Sequence, residues 1–170
     1  EYKRMIDYYW YGVLIRGNMA NAMPLDLDIS DLPPQPDWDS LGEMTGRTAA
    51  ETPSHVVWHY KLYYLATGDI DTLAERYGFL KHCIVHQAFR EGGLLPFSDD
   101  ETFRVPMMAV FGHPLNSKYA EMFCSANSSF LFVPAAEFMS DIAVQLGHYD
   151  DAELFDGLAD EVRVRAEEVY

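Results

Sequence analysis

Residues 63–81 carry the sequence Tyr-Tyr-Leu-Ala-Thr-Gly-Asp-Ile-Asp-Thr-Leu-Ala-Glu-Arg-Tyr-Gly-Phe-Leu-Lys, and this stretch decides the fold. The helix before the turn begins at Thr52, which is followed by a proline, and ends at Gly68. Proline suits the first turn of a helix, and glycine suits its C-terminal end. A second helix begins at Asp69 or Asp71 and continues to about Arg90, with apolar side chains at helical spacing. The stretch therefore predicts a helical hairpin with a short turn.

The same pattern returns near the C-terminal end of the sequence. An apolar stripe repeats at helical spacing up to Gly147, and Asp150-Asp151-Ala152-Glu153 resembles a capping box for the last helix. Pro134 either opens the helix before Gly147 or kinks it. Residues 1 to about 22 predict one more helix, and 23–47 predict a long, proline-rich loop. Since no segment alternates like a strand, we expect residues 1–170 to form a single all-α domain built from helical hairpins.

The net charge of the chain limits the kinds of partner that it can bind. The chain has 27 Asp and Glu against 12 Lys and Arg, a formal net charge of −15, which repels the phosphates of nucleic acids and anionic membranes. No apolar run approaches the roughly 20 residues of a membrane span. Aromatic residues make up 14% of the chain and suit either a core of large side chains or a cleft that stacks sugar rings. We therefore expect no nucleic acid and no membrane as partners, whereas a neutral carbohydrate is compatible.

A second stretch carries the candidate chemistry. Two glycines and a proline over residues 92–96 exclude regular structure, and Asp99, Asp100 and Glu101 follow, with Arg104 behind them. Crowded carboxylates and neighbouring aromatic rings raise a carboxyl pKa, which makes Glu101 a candidate acid that stays protonated near neutral pH. Arg104 could orient a carboxylate or bind substrate hydroxyls. A solvated turn that caps a helix is an alternative interpretation. A calcium loop is another, although the spacing differs from that of an EF-hand.

Both stretches resemble a known superfamily. Residues 63–81 are similar to a hairpin of the six-hairpin glycosidases, which are (α/α)6-toroid glycoside hydrolases and phosphorylases: a tyrosine, then Thr-Gly-Asp, then Tyr-x-Phe-Leu-Lys. The resemblance covers roughly residues 50 to 170. The sequence Asp-Asp-Glu-Thr-Phe over residues 99–103 is similar to the Asp-Glu-Tyr element of the maltose- and kojibiose-phosphorylase group. Phe103 stands where that group prefers tyrosine, and its glycine-proline before the acid pair is absent.

The resemblance implies part of an (α/α)6 barrel and a carbohydrate-active enzyme, a glycosidase or glycoside phosphorylase, that cleaves glycosidic bonds by general acid catalysis. The family's acid falls on Glu101, and Asp100 belongs to the same catalytic element. An inverting pair needs carboxyl groups roughly 6.5–9.5 Å apart, a separation that adjacent residues rarely reach across one cavity. The second carboxylate is therefore expected elsewhere, at Glu51 or in the remainder of a larger chain. Such a remainder is expected because 170 residues are too few for six hairpins.

Substrate-binding candidates accompany this pair. In a toroid the first residues of an inner helix face the cleft, so Trp58 could stack on a sugar and His59 could bond to a hydroxyl. Glu51, Asp99 and Arg104 are the further candidates for binding substrate. The alternative for Trp58 and His59 is a place in the core or in a contact between helices.

Metal and cofactor signals are weak. His82 and His86 have the spacing of a zinc pair on one helix face, but no third ligand accompanies them, and we expect a half-exposed helix face instead. Cys83 and Cys124 lie among apolar neighbours and are expected to be buried thiols. The sequence has no glycine-rich phosphate loop, no Cys-x-x-Cys pair and no Gly-x-Ser-x-Gly elbow. We therefore predict no metal and no cofactor.

Two other functions fit the same pattern. A non-catalytic helical-repeat module would bind a partner protein on an acidic, aromatic concave face. A sugar epimerase or isomerase on the same architecture would use His59 or another histidine as its base. Catalysis predicts that Glu101, Trp58 and Glu51 converge on one cleft, whereas a protein-binding module predicts that the loops scatter and Glu101 is exposed.

Overall fold

The structure, a computed structural model, describes residues 2–16, 29–41, 52–87, 93–95 and 126–170. Within these ranges the chain forms five α-helices and a 3-10 turn at Trp38–Ser40. The helices are α1 (Tyr2–Arg16), α2 (Thr52–Thr67), α3 (Ile70–Val85), α4 (Ala126–Leu146) and α5 (Tyr149–Val169). The described ranges contain no strand. The all-α class is therefore confirmed for this part of the chain.

The turn between α2 and α3 follows from one glycine and three polar side chains. Gly68 has a φ of 68°, a left-handed conformation that glycine adopts without a Cβ clash. Asp69 caps α3, because its Oδ1 accepts a hydrogen bond of 3.0 Å from the Thr72 N–H. Its Oδ2 accepts a second one, of 2.6 Å, from the Tyr63 hydroxyl. The Thr67 hydroxyl donates to the Tyr63 carbonyl over 2.8 Å. The predicted hairpin is confirmed.

The end of α3 lies earlier in the chain than the apolar pattern predicts. The helix ends at Val85 rather than near Arg90. The His86 N–H still bonds to the His82 carbonyl over 3.1 Å, and the Gln87 side-chain amide donates to the Cys83 carbonyl over 2.7 Å. Carbonyl groups of the last helical turn have no partner within the helix, so such bonds stabilise its end.

The turn between α4 and α5 repeats the glycine but not the cap. Gly147 has a φ of 81°, which confirms its role at the end of α4. The predicted capping box is wrong, since α5 begins at Tyr149 and the N-cap residue His148 makes no side-chain capping bond. Asp150 and Asp151 lie instead in the first turn of α5, where the helix dipole favours negative charge. Pro134 does not open α4, because the helix runs through it.

The apolar stripes predicted for α4 and α5 form much of the core. On α4, Ala135, Phe138, Met139, Ile142 and Ala143 are buried. On the apolar face of α5, Phe155, Ala159, Val162 and Ala166 are buried and Leu158 is partly buried, but Val169 is 50% exposed at the end of the helix. The largest fully buried side chains come from every helix and from residue 95: Tyr60, Phe79, Phe132, Phe155, Ile6, Leu73, Leu80, Ile84, Leu95, Met139 and Ile142.

The two hairpins pack side by side, with α4 against both α2 and α3. The Tyr64 hydroxyl of α2 donates to Gln145 Oε1 near the end of α4 over 2.7 Å. Lys61, one turn earlier on α2, lies 5.8 Å from the ring centre of Phe138, two turns earlier on α4. Contacts advance together along both helices, so α2 and α4 run in the same direction. Their hairpin partners α3 and α5 therefore also run alike, joined by a Lys81–Asp151 ion pair of 2.8 Å.

Candidate functional site

Most of the predicted site residues lie outside the described part of the chain. This is the case for the predicted acid Glu101 and for Asp100, Asp99, Arg104 and Glu51. Of the predicted site, the structure describes Trp58 and His59, which are neighbours on α2. Their surroundings, and the chain ends from which the other residues continue, define the candidate site.

Trp58 is half-buried on α2 and forms a cation–π contact. Lys61 Nζ lies 4.9 Å from the centre of its indole ring and also reaches toward the buried Phe138 of α4. Such a contact contributes about 0.5–1 kcal/mol where water reaches the pair. An indole with a cation over its ring can stack a flat ligand only on its other face or after the lysine moves.

His59 is half-buried on the side of α2 that meets α1. Its backbone carbonyl accepts a 3.4 Å hydrogen bond from the Tyr2 hydroxyl, and its ring lies 6.4 Å from the ring of His55. Its Nδ1 is buried and has no hydrogen-bond partner among the described residues. Burial and the nearby His55 lower the pKa of His59 below its ordinary value. The ring is therefore neutral near pH 7, the form that can act as a base or accept a proton from a hydroxyl.

Trp58 and His59 face different neighbours. Successive residues of a helix point about 100° apart, so Trp58 lies toward Lys61 and α4 while His59 lies toward Tyr2 and α1. The described residues do not bring the two rings into one pocket. His59 lies at the contact between α2 and α1, as the alternative interpretation predicts, whereas the contact of Trp58 is with Lys61 of its own helix.

The chain segments that lead to the other candidate site residues lie at one end of the hairpins. The Ser54 hydroxyl in the first turn of α2 bonds to the amide of Gln87, just beyond α3, with Nε2 3.0 Å away. The Leu95 N–H donates to the hydroxyl of Ser129 in the first turn of α4 over 3.2 Å. Glu51 is the residue before α2, and the acidic stretch follows Leu95 after a few residues. The chain enters and leaves the undescribed acidic segment at this end.

A buried ionic network joins α1, α2 and α3, and sequence reasoning missed it. Asp7 Oδ1 accepts a 2.7 Å hydrogen bond from the Tyr60 hydroxyl and a 3.4 Å contact from Arg76 Nε. The Arg76 guanidinium lies 3.5 Å over the ring of Trp10. Burial and the Asp7 carboxylate raise the pKa of Tyr60 well above its ordinary value. The network is fully covered by protein, so it positions helices rather than contacts a ligand. An aspartate beside Ile6 on the apolar face of α1 was the one signal for it.

The second histidine pair departs from expectation. His82 is 2% exposed, so the prediction of a half-exposed helix face is wrong for this residue. Its ring stacks on His86 at a centre distance of 4.4 Å and lies 6.1 Å from the ring of Trp38. The burial comes from residues 29–41, which the sequence suggested only as a loop with apolar anchors. Cys83 is buried as expected, and burial raises the pKa of its thiol; Cys124 lies outside the described residues.

The described residues do not form a complete metal-binding site. Within them, no three His, Cys, Asp or Glu side chains come together in a way that could hold a metal ion. Each of the two histidine pairs thus has two nitrogen-bearing rings and no third ligand from these ranges. A structural zinc site takes four protein ligands and a catalytic one takes three.

The surface at the α4–α5 turn forms an open depression. It has a volume of about 340 Å³ and is lined by residues 147–151. The Tyr77 hydroxyl and Lys81 Nζ both bond to Asp151 there, each over 2.8 Å. The ring of Tyr77 stacks on His148. This turn is at the opposite end of the hairpins from residues 93–95, and the depression is lined by none of the predicted site residues that the structure describes.

One described helix, α4, is long and apolar enough to cross a membrane when judged by length and composition alone. However, 56% of its most apolar window is buried inside the fold. The core helix of a soluble protein passes the same test, so this helix is weak evidence for a membrane.

Comparison with known proteins identifies no relative of this chain. No family model, no curated protein and no solved structure matches the chain.

Proposed function

We propose that the chain is part of a carbohydrate-active enzyme of the six-hairpin (α/α)6-toroid type, which cleaves glycosidic bonds with Glu101 as the proton donor. Support begins with residues 63–81, which carry the resemblance. Tyr63, Thr67, Gly68 and Asp69 are the residues that build the first turn. These four residues act together in one turn, as the residues of a hairpin motif are expected to do.

The arrangement of the two hairpins also supports the proposal. In an (α/α) ring the inner helices are neighbours that run alike, and each is backed by the outer helix of its own hairpin. Here α2 and α4 are neighbours that run alike, backed by α3 and α5. Two such units would form an arc, and further hairpins from the remainder of the chain would be needed to close a ring.

The observation that carries the proposal is the meeting of chain segments at one end of the hairpins. The Ser54–Gln87 bond joins the start of α2 to the residue just beyond α3, and the Leu95–Ser129 bond joins residue 95 to the start of α4. A chain spans at most about 3.6 Å per residue, which limits Glu101 to within about 22 Å of Leu95. Glu51 adjoins Thr52 at the same end. Both candidate carboxylates thus continue the chain from described residues at the end where the inner helices of a toroid would begin.

The proposed chemistry assigns each candidate a role. Glu101 donates a proton to the leaving glycosidic oxygen, and Asp100 and the flanking aromatic rings favour its protonated form. Glu51, or a carboxylate from the remainder of the chain, activates water or phosphate on the opposite face of the sugar. Asp99 and Arg104 bind substrate hydroxyls, and Trp58 offers an indole for stacking. The sugar itself and the stereochemical outcome are not part of the proposal.

The test is cleavage by the full-length protein of aryl glycosides and disaccharides, with and without phosphate. We expect Glu101→Gln to lower kcat by about 10²–10⁴-fold, the usual contribution of a general acid. The loss should be smaller for an aryl glycoside with a good leaving group, which needs little protonation, and a merely structural role would not produce that difference. Glu153→Gln, an exposed change on α5, is the matched control and should leave kcat unchanged.

The possible outcomes distinguish the proposed enzyme from the two other functions. Cleavage that survives Glu101→Gln removes Glu101 as proton donor. If the wild-type protein cleaves none of the substrates, the enzymatic proposal fails and a non-catalytic helical module is the better description. Conversion of a free sugar without cleavage of a glycosidic bond would instead identify an epimerase or isomerase.

A further inference from the structure

Residues 29–41, called the strap below, lie along α3. The Gln35 amide donates to the Glu75 carbonyl of α3 over 3.2 Å, and its Oε1 accepts a 3.0 Å bond from the Trp38 indole. Trp38 is 8% exposed, and its ring lies 5.4 Å from the ring of Phe79. Trp38 is therefore the anchor that holds the strap on the helix.

His82 lies directly beneath this anchor. It is 2% exposed, and its ring faces the backbone carbonyl of Trp38. Its Nδ1 is buried and has no partner among the described residues. When the His82 ring is neutral and its single proton is on Nε2, it can donate a hydrogen bond to the Trp38 carbonyl. A second proton on Nδ1 would be a buried donor without an acceptor, and such a group destabilises the state that buries it.

His86 adds a second reason for His82 to stay neutral. The two rings stack with centres 4.4 Å apart and an angle of 26° between their planes, so two protonated rings would repel each other strongly at this distance. Among the described residues, Asp39 of the strap is the acidic group whose charge acts on His82, but its side chain is 74% exposed. Lys81 on α3 lies 4.0 Å from Asp39 and bonds more closely to Asp151, at 2.8 Å. Asp39 therefore offsets little of a positive charge on His82.

We propose that His82 and His86 form a pH-sensitive latch, which holds the strap on α3 at neutral pH and releases it on acidification. A positive charge on His82 disrupts the surface on which the Trp38 ring packs. Few other bonds then hold the strap on α3. The hairpins retain their own buried core, so the strap opens locally while the helices stay folded. The latch does not depend on the chemistry proposed for Glu101.

The proton linkage has the sign that the latch requires. Burial and the neighbouring His86 lower the pKa of His82 to about 4, whereas an exposed imidazole titrates near 6.5. The released strap thus binds a proton more readily than the docked strap. Docking is fully stable above about pH 6.5 and weakens as the pH falls toward 4. Between pH 7 and pH 5 the equilibrium constant for release should rise on the order of tenfold.

Hydrogen exchange read by mass spectrometry tests the latch in the wild-type protein. Protection factors, corrected for the intrinsic pH dependence of exchange, are compared at pH 7 and pH 5 for peptides from residues 29–41 and from α4. We expect the strap peptides to lose protection on the order of tenfold while the α4 peptides keep theirs. Equal protection of the strap at both pH values, or an equal loss in strap and α4, overturns the proposal.

Three variants locate the effect. His82→Gln keeps a donor for the Trp38 carbonyl but cannot be charged, so the strap should stay protected at pH 5. His86→Gln removes the stacked imidazole that lowers the pKa of His82 and should make the pH response smaller. His55→Gln, an exposed histidine on α2, is the matched control and should leave the response unchanged. A response that survives His82→Gln contradicts the latch, and if that variant does not fold, the wild-type comparison and His86→Gln still decide.

Discussion

A methyl group added at Gly78 would collide with Trp38. Gly78 lies in the middle of α3, and a Cβ built there would be 2.4 Å from Trp38 Cδ1 and 3.1 Å from its Nε1. Carbon atoms in contact are normally about 3.5–4.0 Å apart. The alanine variant therefore keeps the helix only if the indole moves by about 1 Å or more, away from the position that anchors residues 29–41.

Two opposing effects set the size of the change in stability. Alanine favours a helix over glycine by about 1 kcal/mol. Overpacking of a filled site costs about 1–3 kcal/mol, and the shifted indole also strains its 3.0 Å bond to Gln35, which contributes about 0.5–1.5 kcal/mol. We therefore expect Gly78→Ala to lower the free energy of unfolding by about 1–2 kcal/mol, even though alanine is the better helix former.

Urea denaturation of two matched variants measures this prediction. Gly157 also lies inside a helix, α5, but it is exposed and a Cβ there meets nothing within 4 Å. Gly157→Ala should raise the free energy of unfolding by up to about 1 kcal/mol. In a Trp38→Ala background Gly78→Ala should lose its penalty, because the two changes share one contact. If Gly78→Ala stabilises the wild-type protein as Gly157→Ala does, Trp38 does not sit on Gly78 and the reasoning fails.

Three further predictions concern the turns and the buried network. Tyr60→Phe removes the 2.7 Å bond to Asp7 and should cost about 1.5–3 kcal/mol in urea denaturation; a change below about 0.5 kcal/mol would show that the carboxylate does not need it. Gly68→Ala and Gly147→Ala force a Cβ into left-handed backbone and should each cost about 1–2 kcal/mol by the same measurement; no loss would argue against the turn geometry. Hydrogen bonds from Thr72 and Tyr63 lower the pKa of Asp69 to about 2, so its contribution is present above about pH 4 and is lost as the pH falls through 2. Asp69→Ala should lower Tm at pH 7 and flatten this acid dependence, and an unchanged acid dependence would contradict it.

Local features of the sequence predicted the helices and their turns. The signals at Gly68, Asp69 and Gly147 act through neighbouring residues, and the structure confirms the two hairpins that they predict. The errors at helix ends have local causes as well. Periodicity continued past Val85, but the Gln87 side chain bonds to the Cys83 carbonyl just beyond the end of α3. The acidic residues after Gly147 serve the first turn of α5 rather than its cap.

Contacts between distant parts of the chain were not predictable from spacing. Tyr60 and Asp7 are 53 residues apart, and Arg76 and Asp7 are 69 apart, so no periodicity relates them. His82 was assigned to a half-exposed face because α3 alone leaves it there. The strap brings Trp38 over it, and a strap that packs along a helix leaves no pattern in the sequence of that helix. The candidate site depends on such contacts even more, since Glu51 and Glu101 belong to different segments.

The hairpin motif that suggested a family reports a fold rather than a chemistry. Tyr63, Thr67, Gly68 and Asp69 bond to one another or set the turn, so these residues are fully occupied by structure. A protein-binding module could keep all four for the same physical reasons. The acidic stretch at residues 99–101 is separate from this motif, and the two interpretations give it different roles. Glu101→Gln therefore separates the two interpretations in a way that no substitution in the hairpin can, because it leaves the turn chemistry intact and removes the proton donor that the proposed cleavage requires.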